Sequence, residues 1–330
     1  MIAARIIFFS LMALIGLILL GSFILFYCFA GRNGRALKYT SETAPQSMRN
    51  YIRQTEEAEE EIRSMNRQPM EIVSAEGFRL RGNLYTMNPG TKTVVLALHG
   101  YHSGDIRDMG RFLPMYRRMG YDCLVPQMRC HGESEGHFIT FGFYEQVDGI
   151  AWCRKLEEIY GSDVRILLHG MSMGGATALM MCRNRMLPDT VKAVIADSAN
   201  DTFKNLVDYR YRRIPAGLRY AGMELVNMWF MLLASVDYKD ITALKGNSDR
   251  KIPALFIHSM DDKIVPVSMY QSNREAWEGL AAGFTVSGVP HANAYVRDPE
   301  SYEAKIRELT QYIETSITHD CYDVTPCQVF

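Results

Sequence analysis

The pentapeptide Gly170-Met171-Ser172-Met173-Gly174 has the Gly-x-Ser-x-Gly spacing in which small flanking residues permit a sharp strand-to-helix turn with the serine oxygen exposed at its tip. A serine hydroxyl is a weak nucleophile at neutral pH. It needs a base, and the base needs a group that fixes its tautomer. On an elbow of this kind the acid and then the base follow the serine along the chain. Downstream lie His258, His291 and His319. His258 closes an apolar, strand-like run and reads as structural, and His319 falls in a polar tail beyond the last expected helix. His291 follows Gly288-Val289-Pro290, between the last expected strand and helix, at the sheet edge where ligands of open α/β folds bind. It is the expected base. For the acid, the adjacent Asp261 and Asp262 and the earlier Asp197 all stand at strand ends.

The pentapeptide alone is weak, since a chain of this length carries one by chance with probability on the order of 0.1. Its surroundings strengthen it. Residues 164–168 read as a buried strand directly before it, and residues 175–181 as a small-residue helix directly after. The start of that helix turns backbone N–H groups and a positive dipole end toward the serine oxygen. The competing reading is an ordinary turn with Ser172 as a helix cap.

The elements that must hold these residues alternate. Strands are expected at 71–74 and 78–85 around the turn Glu76-Gly77, then at 93–98, 121–125, 164–168, 191–196, 252–258 and 284–286. Helices are expected at 109–119, 144–159, 173–186 and 299–315. Such alternation predicts an α/β fold with a mostly parallel sheet covered by helices on both faces. Between 199 and 250 the alternation stops. A structureless loop of that size is rare, so a helical cap is expected there, holding the basic aromatic stretch 209–220 and the apolar run 228–234.

From Ile6 to Gly31 no residue is charged, a run of 26 that is long enough to cross a bilayer. A cleaved signal peptide has an apolar region of only about 7 to 15 residues, so an uncleaved anchor over residues 1–31 is expected. Arg32, Arg35 and Lys38 outweigh Arg5 and the terminal amine by about one charge, which leans the rest of the chain toward the cytoplasm. Residues 32–68, with the acidic run Glu56, Glu57, Glu59, Glu60 and Glu61, read as a solvated helical spacer. The globular domain is expected over 69–317, with a tail at 318–330.

Net charge is −1, so no basic surface calls for nucleic acid. Cys123, Cys130, Cys153 and Cys182 fall among core elements and read as buried thiols; a Cys321–Cys327 pair in the tail is left open. No cluster has metal-ligand spacing, and neither metal nor cofactor is expected.

Residues 258–266, His-Ser-Met-Asp-Asp-Lys-Ile-Val-Pro, resemble the His-Gly-x-x-Asp-x-x-Val-Pro pattern of α/β-hydrolases, with Ser259 replacing Gly. The loop Arg129-Cys130-His131-Gly132-Glu133-Ser134 is similar to the family's Arg-Gly-His-Gly-x-Ser, with Cys130 replacing Gly and Gln127 standing where many relatives have Asp. The resemblance covers roughly residues 72–312. Its nearest group is the membrane-anchored bacterial hydrolases near the serine-aminopeptidase and monoacylglycerol-lipase-like branch. It implies the α/β-hydrolase fold and Asp262 as the acid, with Asp261 serving the turn. It also implies an oxyanion hole made by the backbone N–H groups of Met173 and of Tyr101, which follows His99-Gly100. The expected activity is hydrolysis of an ester-type acyl substrate, lipid-like in view of the anchor and the apolar cap. Action on short peptides or amides is the alternative enzyme, and a non-catalytic binding module the alternative class. Dehalogenases and epoxide hydrolases of this fold are disfavoured because they resemble the pattern with Asp at position 172.

Overall fold

The computed structural model describes residues 1–32, 40–43 and 46–319. The tail cysteines Cys321 and Cys327, and the flanking Arg35 and Lys38, lie outside these residues. Among the described residues eight strands form one sheet: β1 (Asn66–Val73), β2 (Arg79–Thr86), β3 (Thr93–Leu98), β4 (Asp122–Pro126), β5 (Arg165–Met171), β6 (Val191–Asp197), β7 (Ala254–Ser259) and β8 (Ala281–Val286), in the order β1-β2-β4-β3-β5-β6-β7-β8. β1 and β2 form an antiparallel hairpin, β2 pairs antiparallel with β4, and every other pairing is parallel. Pro69, which cannot donate to a ladder, is accommodated in β1 because β1 is an edge strand.

The central strands are buried throughout, which is why they read as unbroken apolar runs. Alternate residues feed two cores. Val94, Leu96, Leu168 and Val194 point to one face, against α5 (Glu145–Tyr160) and α6 (Met173–Cys182). Val95, Ala97, Leu167 and Ile195 point to the other, against α4 (Leu113–Met119) and α11 (Pro299–His319).

The single helix expected at 109–119 is instead α3 (Asp105–Met109), a tight 3-10 turn at Gly110–Phe112, and α4. Pro114 at the start of α4 lacks an N–H and favours a fresh helix start there, and Gly120 in the left-handed region closes it. α6 ends at Cys182, short of the expected 186, whereas α11 runs on through His319. Two further helices, α9 (Val267–Glu275) and α10 (Ala294–Arg297), were not expected. The insertion between β6 and β7 carries α7 (Phe203–Arg210) and α8 (Ala216–Trp229), which continues into a wide π-helical turn at Phe230–Ala234.

The leader forms α1 (Ile2–Ala30), long and apolar enough to cross a membrane. Most of it is exposed, but its last turns join the domain. Ser22, Phe26 and Ala30 are buried, the Ile139 amide donates to the Ala30 carbonyl at 2.7 Å, and Gly31 makes a β-bridge with Phe138. The solvated spacer is corrected in part. Its helix exists as α2 (Gln46–Ser64), and the acidic residues are exposed, yet Ile52, Ile62 and Met65 are buried against the α3–α4 region. Ile52 and Ile62, with the partly buried Ala58 between them, give one face of α2 a docking stripe that the surrounding charge conceals, and Met65 extends it just past the helix end.

Candidate active site

Ser172 sits between β5 and α6 with φ 55° and ψ −118°, a conformation that costs a non-glycine residue energy and lifts the side chain out of the turn. The flanking glycines are required by contact. A Cβ on Gly170 would stand 2.1 Å from the Gly174 carbonyl oxygen, and one on Gly174 would stand 2.2 Å from that of Leu98.

Two later strand ends deliver its partners. His291, between β8 and α10, places Nε2 2.9 Å from Ser172 Oγ and Nδ1 2.5 Å from Asp262 Oδ2. A carboxylate only accepts, so Nδ1 carries the proton and Nε2 is left to accept from the serine hydroxyl. Asp262 Oδ1 accepts from the Ile264 and Val265 amides at 2.8 and 2.9 Å, which leaves Oδ2 to accept from His291. Burial raises the Asp262 pKa, but the His291 hydrogen bond and charge, with the two amides, outweigh it and the net shift is downward. The carboxylate's side chain is wholly buried while that of His291 keeps 14% exposure toward the cavity.

The other candidates separate cleanly. Asp261 accepts from the Gly288 amide at 2.6 Å, tying the acid loop to the histidine loop. Asp197 is buried beneath the site, accepting from Ser198 Oγ at 2.8 Å and the Tyr302 hydroxyl at 3.0 Å. Burial lowers the His258 pKa, and its ring donates to the Val265 carbonyl at 2.9 Å, bracing the acid loop. His319 ends α11. The histidine loop is pinned from below: Arg111 donates to the Ala292 carbonyl at 2.8 Å, and the Ala292 amide donates to Ser198 Oγ at 3.2 Å.

Met173 opens α6 directly after Ser172, and Gly100-Tyr101 leaves β3 beside it; a Cβ on Gly100 would stand 3.4 Å from that of Ser172. Asp108 accepts from the Gly100 amide at 2.8 Å and from Ser103, which fixes this loop. In the Arg129 loop, Arg129 pairs with Asp148 at 2.7 Å and His131 Nε2 accepts from the His102 amide at 3.1 Å, so the loop buttresses the site without facing the serine. The Cys130 thiol is pushed up to about 11 and that of Cys182 to about 12 by burial, which leaves both inert as nucleophiles.

Ser172 and His291 open into a cavity of about 490 Å³. Its walls are mostly apolar, from Phe141, Phe203, Leu206 and Val207, and they include Phe29 from the end of α1 and Tyr211 from the cap. Composition and motif do not single out Phe29, and they place Tyr211 only within the basic aromatic stretch 209–220. The Tyr101 side chain, which a main-chain role leaves unconstrained, donates its hydroxyl to the Phe29 carbonyl at 2.8 Å. Among the described residues no three His, Cys, Asp or Glu side chains group as metal ligands.

Fold and site together define a class: an α/β protein with a serine on a strand-to-helix elbow and a histidine and carboxylate brought to it from later strand ends. Residues 94–313 match the alpha/beta hydrolase family, and the chain belongs to it. A protein of Bacillus subtilis (strain 168), the uncharacterized YqkD, is 25% identical over 78% of this chain and 83% of its own length. In structure the chain is similar to the esterase Pf2001 of Pyrococcus furiosus, with TM-score 0.59, 22% identity, and coverage of 77% of this chain and 94% of that one. It is similar also to an alpha-beta hydrolase of Vibrio vulnificus, with TM-score 0.60, 17% identity, and coverage of 85% and 99%. At these identities the likeness speaks for the fold.

Proposed function

We propose that this protein is a membrane-anchored serine hydrolase that cleaves a carboxylic ester with a hydrophobic, lipid-like acyl group through an acyl-enzyme at Ser172. The observation that carries the reading is the relay from Asp262 Oδ2 through His291 to Ser172 Oγ, opening into an apolar cavity. In the mechanism His291 Nε2 takes the hydroxyl proton as Ser172 Oγ attacks the ester carbonyl. Asp262 stabilises the imidazolium, and the amides of Met173 and Tyr101 hold the oxyanion, each such donor contributing on the order of 3 kcal/mol to the transition state. His291 then protonates the leaving alcohol. A water deprotonated by His291 attacks the acyl-enzyme, the acid departs, and Ser172 regains its proton. We place the anchor in α1 and the domain on the cytoplasmic side, following the flanking charges.

A fluorophosphonate probe tests the reading directly: wild type should label and Ser172→Ala should not. A panel of acyl esters of increasing chain length against aminoacyl amides then separates esterase from peptidase. Faster turnover of the amides would replace the proposed substrate class, and an unlabelled wild type would leave a non-catalytic binding module.

A further inference from the structure

The cap insertion is attached to α1 rather than merely near it. The Trp229 indole N–H donates to Ser22 Oγ at 3.0 Å, the Phe23 and Trp229 rings lie 5.1 Å apart, and Phe26 stands edge-on to Phe230 at 4.9 Å. Immediately beyond this seam the cap turns apolar side chains outward. Met228, Met231, Leu232 and Leu233 are 38%, 55%, 68% and 41% exposed. A cluster of this kind on a cap helix costs solubility and calls for an occupant.

The α1 helix supplies both the occupant and a depth scale. Counted from Ile6, the first residue after Arg5, a hydrocarbon core of about 30 Å takes about 20 helical residues and ends near Leu25. Phe23 lies about 3 Å inside that boundary, and Trp229 and Phe230 are held at its level and that of Phe26. Trp at this level matches the usual interfacial placement of its ring. Phe29 lies about 6 Å beyond the boundary, in the headgroup zone. There it lines the cavity and meets the Tyr211 ring at 6.0 Å, next to the exposed Arg210, Arg212 and Arg213, whose charge suits phosphate headgroups.

Resting on the reading of α1 as a membrane span, we propose that the end of α8 and the turn Phe230–Ala234 form a second membrane contact. Their outward apolar side chains sit in the acyl-chain boundary of the same leaflet, and the cavity wall made by Phe29 and Tyr211 faces the headgroups. Ester substrate then enters sideways from the leaflet instead of from bulk water. The bilayer covers the apolar face, and the cap and anchor act as one unit.

The full-length chain reconstituted in phosphatidylcholine–phosphatidylglycerol vesicles containing lipids brominated on the acyl chain tests this without relying on activity. F9W and L232W each add an indole at an exposed position, and the wild-type signal is subtracted. Quenching at position 232 within about twofold of that at position 9 is the expected result, given contact with the same hydrocarbon. Quenching at 9 without quenching at 232 overturns the proposal and leaves the face to a second copy or another protein; quenching at neither overturns the anchor as well. In a second arm, the double variant Leu232→Glu, Leu233→Glu should hydrolyse a long-chain ester carried in the vesicles at least about tenfold more slowly while keeping a water-soluble short-chain ester within about twofold, because only membrane contact is removed. Equal effects on both esters, or none, would overturn lateral entry. A wild type that hydrolyses neither ester would remove the esterase reading, lateral entry with it, while the quenching arm still decides the cap.

Discussion

The Tyr101 hydroxyl donates to the Phe29 carbonyl at 2.8 Å, so the loop that leaves β3 beside Ser172 is tied through its side chain to the last turn of α1. Through its main chain the same residue is the proposed second oxyanion donor. Tyr101→Phe separates the two roles. It should cost about 1 kcal/mol of stability through the lost hydrogen bond while kcat on a soluble ester changes by less than about threefold. Thermal melts and initial rates of the full chain in detergent check this; a hundredfold loss in kcat would mean that the α1 tie sets the oxyanion geometry.

Asp262→Asn should lower kcat by about four orders of magnitude with the fold intact, because an amide lets His291 adopt the tautomer that cannot accept the serine proton. Asp197→Asn should act mainly on stability, since Asp197 bonds Ser198 and Tyr302 and not the imidazole. Parallel kcat and melting measurements distinguish them, and the reverse pattern would move the acid to Asp197.

Gly174→Ala should unfold the elbow. Its Cβ would meet backbone, the Leu98 carbonyl at 2.2 Å, and no rotamer change relieves that contact. A cost above about 4 kcal/mol is expected, seen as loss of soluble, monodisperse protein or a collapsed melting transition.

Acid should destabilise the protein through buried histidines. Burial lowers the pKa of His169, between the hydroxyls of Tyr116 and Tyr302, and of His131 to about 3. Both are neutral in the fold, whereas the unfolded chain protonates near pH 6.5, so between those limits the unfolded state binds more protons. Stability is full above pH 6.5 and falls with pH by about 1.4 kcal/mol per unit for each histidine until the folded groups titrate. His169→Gln should melt lower than wild type at pH 7.5 and lose stability less steeply from pH 6.5 to 5. Parallel slopes would show that His169 does not carry the effect.

What the sequence by itself determined was local and periodic. β3 carries its signal in six consecutive residues, and the elbow carries its own in five, because burial on both faces and a tight turn are each satisfied by neighbours along the chain. The order of Ser172, Asp262 and His291 was also legible, as was an α1 long enough for a bilayer. The tertiary structure decided what depends on distant partners. Asp261 and Asp262 are adjacent and chemically identical, and residue type alone leaves them open; the resemblance of residues 258–266 implies Asp262, and the fold, at the ends of the paired strands β7 and β8, turns Asp261 to the Gly288 amide and Asp262 to His291. Ile52 and Ile62 stand among charged residues in a segment that reads as solvated, and only the α3–α4 region supplies the surface they cover. That Phe29 lines the cavity and Ser22 holds Trp229 depends on where residues some two hundred positions later fold back, and no pattern within the leader encodes it.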